Sequence, residues 1–149
     1  MDVKTILWPT DLSKASLKAA PHVVSLAEMY QAKVVVLYVG VDLCAYFPAY
    51  GNYPSADTLN EFQNWELKQA REKLAAICAG ELKGCPMLAT RIVTGEAATE
   101  ILKAVAGEKA DLLVMTRRGH GATAEATPGF GRVAAQVLAE SPVPVHFVG

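Results

Sequence analysis

ADLLVMTRRGHGATAEATPGFGRV, residues Ala110 to Val133, decides the fold. It opens on a short apolar run ending at Thr116, loses all apolar periodicity through its middle, and then leads into VAAQVLAE, where Val133, Val137 and Leu138 recur on one helical face. A strand, a glycine-bearing loop and a helix in that order are how α/β folds present backbone amides to an anion. Gly119, Gly121 and Gly131 let the backbone approach a phosphate closely, and the helix start adds unpaired N–H groups and the positive end of its dipole. The same loop carries Arg117, Arg118, His120 and Arg132. On the glycines alone an ordinary solvated β-to-α connection reads the same way.

Working outward, VKTILW at Val3 to Trp8 is a continuous β-prone run that Pro9 stops, and Asp11 or Ser13 can cap a helix over Leu12 to Tyr30. Pro21 sits inside that helix and is expected to kink it or weaken its first turns. KVVVLYV at Lys33 to Val39 is apolar at nearly every position, as a strand buried on both faces would be. Asp42 to Asp57 is long and irregular, with Tyr46, Phe47, Tyr50 and Tyr53 among prolines and glycine. Such a stretch is either a flap over a site or a surface loop folding its rings onto a neighbouring helix. Leu59 to Leu82 predicts a long amphipathic helix with Leu67, Ala70, Leu74 and Ile77 in register and Trp65 on its buried or half-buried face. Met87 to Gly95 is a third strand and its exit, Glu96 to Ala110 a helix with Ile101 and Val105 inward and Gly107 at its stop, and Val143 to Gly149 a fifth strand. Strands alternating with helices call for a parallel sheet with right-handed crossovers and helices on both faces.

With 149 residues the chain reads as one domain, large enough to bury roughly two-thirds of its unfolded surface without a metal or disulfide. The 52% apolar content suits a sheet covered on both sides, and a net charge of −1 offers no field for a nucleic-acid backbone. Cys44, Cys78 and Cys85 form no C-x-x-C pair, the N-terminus lacks a signal-peptide pattern, and no apolar run spans a bilayer. The expectation is a soluble cytoplasmic protein without a membrane or nucleic-acid partner. His22, His120 and His146 are spread over a helix, the loop and the last strand, so no metal cluster is expected, and no catalytic triad or nucleophile elbow is present.

Four stretches together resemble the universal stress protein family: ILWPTDLS at Ile6 to Ser13, TGEAATEIL at Thr94 to Leu102, ADLLVM at Ala110 to Met115, and GRVAAQVLAESPVPVHFV from Gly131. The resemblance covers essentially the whole chain in the right order. It implies a doubly wound, Rossmann-like five-stranded parallel sheet of the adenine nucleotide alpha hydrolase type, order 3-2-1-4-5. Its crevice would lie at the carboxyl ends of strands one and four, where many members bind ATP. It places Pro9, Thr10, Asp11, Val39, Met115, Thr116, Arg118, Gly119, His120, Gly121, Gly131, Arg132 and Val133 at a nucleotide or anion site. The family's ATP pattern is G-x2-G-x9-G-S/T. Here Gly119-His120-Gly121 is one residue short, and Arg132 stands where Ser or Thr belongs.

Asp11 either caps the first helix or sits beside a nucleotide. Arg132 holds an anion, fills the phosphate site, or turns to solvent and pairs with Glu125, while Pro128-Gly129 suggests a type II turn. Three functions follow: a cytoplasmic homodimeric stress-response module with a diverged crevice, a slow nucleotide hydrolase using ATP and magnesium, or a flavodoxin-like redox carrier. A further, unidentified protein partner fits the first. The homodimer is expected to form through Val143, Val145, His146, Phe147 and Val148 on an edge strand. On that strand Pro142 and Pro144 remove amide donors from one side and leave pairing to His146 and Val148.

Overall fold

The computed structural model describes residues 2–42, 55–118 and 129–149. Its strands are β1 (Thr5–Pro9), β2 (Lys33–Gly40), β3 (Met87–Thr94), β4 (Leu112–Thr116) and β5 (Val145–Val148). The helices, in chain order, are α1 (Lys14–Leu17), α2 (Ala20–Tyr30), α3 (Ala56–Ala79), α4 (Ala97–Gly107) and α5 (Arg132–Glu140). All pairings are parallel and the sheet runs β3-β2-β1-β4-β5, the order the family resemblance implies. The winding reverses beside β1, whose Ile6 and Leu7 lie opposite Val34 and Val35 on one side and Leu112 and Leu113 on the other.

Period-two alternation divides the strands between two cores. Ile6, Trp8, Val34, Val36 and Val114 pack with Ala20, Val23 and Ala27 of α2 and Leu74 and Ile77 of α3. Leu7, Val35, Leu37, Leu113 and Met115 pack with Ala98, Ile101 and Val105 of α4 and Ala134 and Val137 of α5. Ile6, Leu7 and Trp8 are 0% exposed, each burial contributing about 1.5–3 kcal/mol, so the central strand is apolar on both sides. Asp111 ties β1 to the start of β4: its carboxylate accepts from the Lys4 and Thr5 amides at 2.9 and 3.1 Å.

Five local expectations are corrected. Pro9 belongs to β1 as its last residue rather than following the strand. The first helical segment is two helices, and Pro21 lies in the first turn of α2, where its missing N–H costs nothing, instead of kinking a long helix. Trp65 is 57% exposed and touches Phe62 at 5.9 Å between ring centroids, while Leu138 is 49% exposed and Ala134 takes the inward place beside Val137. On β5 the carbonyls of Pro144 and Val148 accept from Leu113 and Arg117 of the β4 side. Alternate residues of a strand direct their polar groups to alternate edges, so Pro144, His146 and Val148 serve the inner ladder and Val145 and Phe147 face outward. The prolines therefore do not blunt the outer edge.

Candidate functional site

The turn after β1 is fixed by hydroxyls. Thr10 and Ser16 are buried, Ser16 Oγ donates to Thr10 Oγ1 at 2.7 Å, and the Leu12 amide donates to the same oxygen at 3.0 Å. These bonds hold Leu12 at φ 67°, a left-handed value that a branched residue adopts only when its surroundings enforce it. Ser13 caps α1 by accepting from the Ser16 amide, and Asp11 Oδ1 accepts from both the amide and the hydroxyl of Ser13. Asp11 is thus one step removed from the cap: it orients the residue that does the capping. It is exposed at the mouth of the crevice.

A cavity of about 330 Å³ opens at the carboxyl ends of β1 and β4. Pro9, Thr10, Asp11, Val39, Met115, Thr116, Gly131, Arg132 and Val133 all line it, as the family resemblance implies. Arg118 is exposed and is not among the lining residues. Gly119, His120 and Gly121, Glu125, Pro128 and the aromatic stretch around Tyr46 to Tyr53 lie outside the described residues. Gly129 adopts φ +86°, the left-handed value a type II turn needs at its third position. Ser16, Leu37, Ala97, Ile101, Arg117 and Ala134 also line the cavity and escaped sequence reading. Ala97 and Ile101 were within reach, since both stand in the TGEAATEIL stretch.

The floor is apolar, from Leu37, Val39, Met115 and Ile101, and suits a flat ring. The rim is the start of α5. Its N-cap is Gly131, which carries no side chain to cap the helix, and the Gly131 amide is committed to the Arg117 carbonyl at 2.7 Å. The next three amides, of Arg132, Val133 and Ala134, are those that helix geometry leaves without an internal acceptor, and their residues border the cavity. Arg117 holds this arrangement in place, its guanidinium carbon 5.9 Å from the Phe130 ring centre, with Phe130 edge-on to Phe147 at 5.0 Å.

Across the cavity α4 starts differently. Glu96 is its N-cap and accepts from the amides of Ala98 at 3.3 Å and Thr99 at 2.8 Å. Its carboxyl titrates below the usual value, first because the Thr99 hydroxyl and then the Thr99 amide donate to it, and to a smaller degree because Arg132 carries a positive charge nearby. Arg132 is exposed and lines the cavity at its rim.

Beside α3 lies a more open hollow of about 400 Å³ that shares Asp11 and is bordered by Tyr38, Trp65, Glu66 and Lys73. Burial and the adjacent Glu66 raise the Tyr38 phenol, whose hydroxyl donates to Glu66 at 3.4 Å. Among the described residues no helix is long and apolar enough to cross a membrane.

Residues 2–149 match the model of the Universal stress protein family. A Thermus aquaticus universal stress protein, encoded in a sulfhydrylase 3′ region, is 33% identical over 97% of this chain and 98% of its own length. Universal stress protein MJ0531 of Methanocaldococcus jannaschii is 30% identical over 97% of this chain and 81% of its own. Among solved structures, UspA from Lactobacillus plantarum superposes with a TM-score of 0.81 at 24% identity, covering 100% of this chain and 99% of its own. The same fold recurs in a universal stress protein in complex with cAMP (TM-score 0.64, 22% identity, 99% and 98% covered) and in one from Archaeoglobus fulgidus in complex with dAMP (0.66, 16%, 100% and 100%).

Proposed function

Because the chain belongs to the universal stress protein family, we propose that it is a cytoplasmic, homodimeric stress-response module whose crevice takes an adenine nucleotide. The observation that carries this reading is the uncapped start of α5 opening onto an apolar-floored cavity at the point where the sheet winding reverses. An adenine ring suits the floor, and a phosphate suits the amides of Arg132 to Ala134. Neighbours of the same fold solved with cAMP and dAMP support a nucleotide with one phosphate. The volume, about 330 Å³, is at the lower end for small-molecule sites and points the same way. Family membership favours this reading over a flavodoxin-like carrier. The outward-facing polar groups of Val145 and Phe147 give a second copy an edge on which to pair.

ATP binds weakly or not at all in this reading, because the glycine motif Gly119-His120-Gly121 is one residue short of the family's ATP pattern. Arg132 acts by capture: exposed at the rim, it adds a charge-assisted contact where a hydroxyl would stand. Calorimetric titration with AMP, cAMP and ATP, with and without magnesium, tests this. AMP or cAMP should bind more tightly than ATP, and Arg132→Ser should weaken them about tenfold, the lower part of the range for a charged hydrogen bond. Tight, magnesium-dependent ATP binding unchanged in Arg132→Ser would overturn the reading. Magnesium-dependent phosphate release that scales with protein would replace it with slow hydrolysis.

A further inference from the structure

The sequence separates its histidines, but the fold brings two of them together. His22 stands in the first turn of α2, and His146 lies on β5, 124 positions later. Alternation along β5 sends Val145 and Phe147 into the core under α4 and α5, and Val148 into the core under α2. His146, two residues from Val148, therefore faces α2. Its Nε2 is 3.1 Å from Nδ1 of His22, with ring centroids 5.2 Å apart and the planes inclined at 50°.

We propose that this pair is a chelating site for a borderline divalent cation of the zinc, nickel or copper class. Two imidazole nitrogens each about 2.0–2.1 Å from one ion, at an angle between square and tetrahedral, stand about 2.9–3.4 Å apart. The observed 3.1 Å falls inside that interval, so the ion needs only small ring rotations. Neutral imidazole selects ions of this class, whereas magnesium and calcium prefer oxygen. His22 is exposed, which leaves the remaining coordination positions open to water. No cluster of three or more ligating side chains exists among the described residues, so the site is a two-ligand chelate of modest affinity and not a closed structural centre. It lies on the α2 face of the sheet, across from the nucleotide crevice, and ties α2 to the edge strand.

The test uses untagged full-length protein under reducing conditions, titrated with zinc and nickel by calorimetry, alongside His22→Gln and His146→Gln. The native chain should bind one ion, and each variant should lose at least tenfold in affinity while keeping its metal-free melting temperature. At tenfold excess over the native dissociation constant the ion should raise the native melting temperature by about 3–6 °C and that of either variant by about 1 °C or less. Magnesium should give no shift. No binding at millimolar zinc or nickel would overturn the site and leave the pair as a hydrogen bond sharing one proton. Binding retained in both variants would also overturn it, by assigning the ion to other ligands.

Discussion

Two helices begin at the same cavity and solve the same problem in opposite ways. The first turn of a helix has amides without partners. At α4 the protein supplies the acceptor itself: the Glu96 carboxylate takes the amides of Ala98 and Thr99. At α5 it supplies nothing from a side chain, since the cap is Gly131. One start is closed and negative; the other is open and bordered by Arg132. In the proposed reading an anion is directed to α5 by both hydrogen bonding and charge, and the difference between the two starts is what would turn a gap between packed elements into a site.

The contrast holds only if α4 is a fixed wall. Its anchor is Ile101, 3% exposed and lining the cavity, so Ile101→Ala should cost about 2–5 kcal/mol in urea denaturation. That is the largest effect expected here, and a loss smaller than that of removing the cap would mean that the cap positions α4. Gly95, just before the cap, has φ +149°, and an added Cβ would fall 2.7 Å from Glu100 Oε1. Gly95→Ala should cost about 1–3 kcal/mol through backbone strain and displaced side chains, measured in the same way. A neutral result would show that the turn into α4 has room to relax.

The fold was legible because each central strand is a continuous apolar run and each connection helix shows its own period. β1 and β2 are buried on both faces, and no other reading accommodates TILWP and KVVVLYVG in a chain of this size. Edges and ends were less legible. Trp65 is apolar enough to predict burial, yet at about 100° per residue it stands nearly opposite Ala70, Leu74 and Ile77, through which α3 packs, and the indole stays out. Which side of β5 the prolines serve depends on register with β4, a long-range fact without a local signal. The site was legible as far as the family resemblance carried it. Ser16 and Arg117 entered only through tertiary packing, Ser16 as a buried hydroxyl on Thr10 and Arg117 through its carbonyl on Gly131. The His22–His146 contact had no sequence signal at all.

The closed start can be opened. Glu96→Ala removes the cap of α4 and should cost about 1 kcal/mol at neutral pH. Its folded-state titration is depressed below the ordinary 4.5, chiefly by the Thr99 hydroxyl and amide. The contribution is therefore complete above the unfolded value and is lost as pH falls from there through the folded value. Stability curves of native and variant protein should converge as pH drops below 4.5. A gap that stays constant over that range would mean that the carboxylate charge contributes nothing to the cap.

The converse is to close the open start. Gly131 has φ −69° and ψ 170°, an extended geometry in which serine is at home as an N-cap. In Gly131→Ser the hydroxyl can accept from the amide of Val133 or Ala134, which are the donors assigned to the ligand phosphate. Stability should rise by a few tenths of a kcal/mol, the smallest effect expected here, because serine exceeds glycine as a cap only slightly. Nucleotide and inorganic phosphate binding should fall nonetheless, since the new acceptor competes for the same amides. Gly131 is buried, so an added Cβ alone could disturb the crevice. Gly131→Ala separates the two causes: it adds the Cβ without an acceptor and, as a poor cap, should lower stability. Calorimetry in which serine weakens phosphate binding more than alanine, while thermal melts rank serine above alanine, would identify the amides as the anion site. Equal losses in both variants would assign the effect to space, and unchanged binding in both would remove the α5 start from the site altogether.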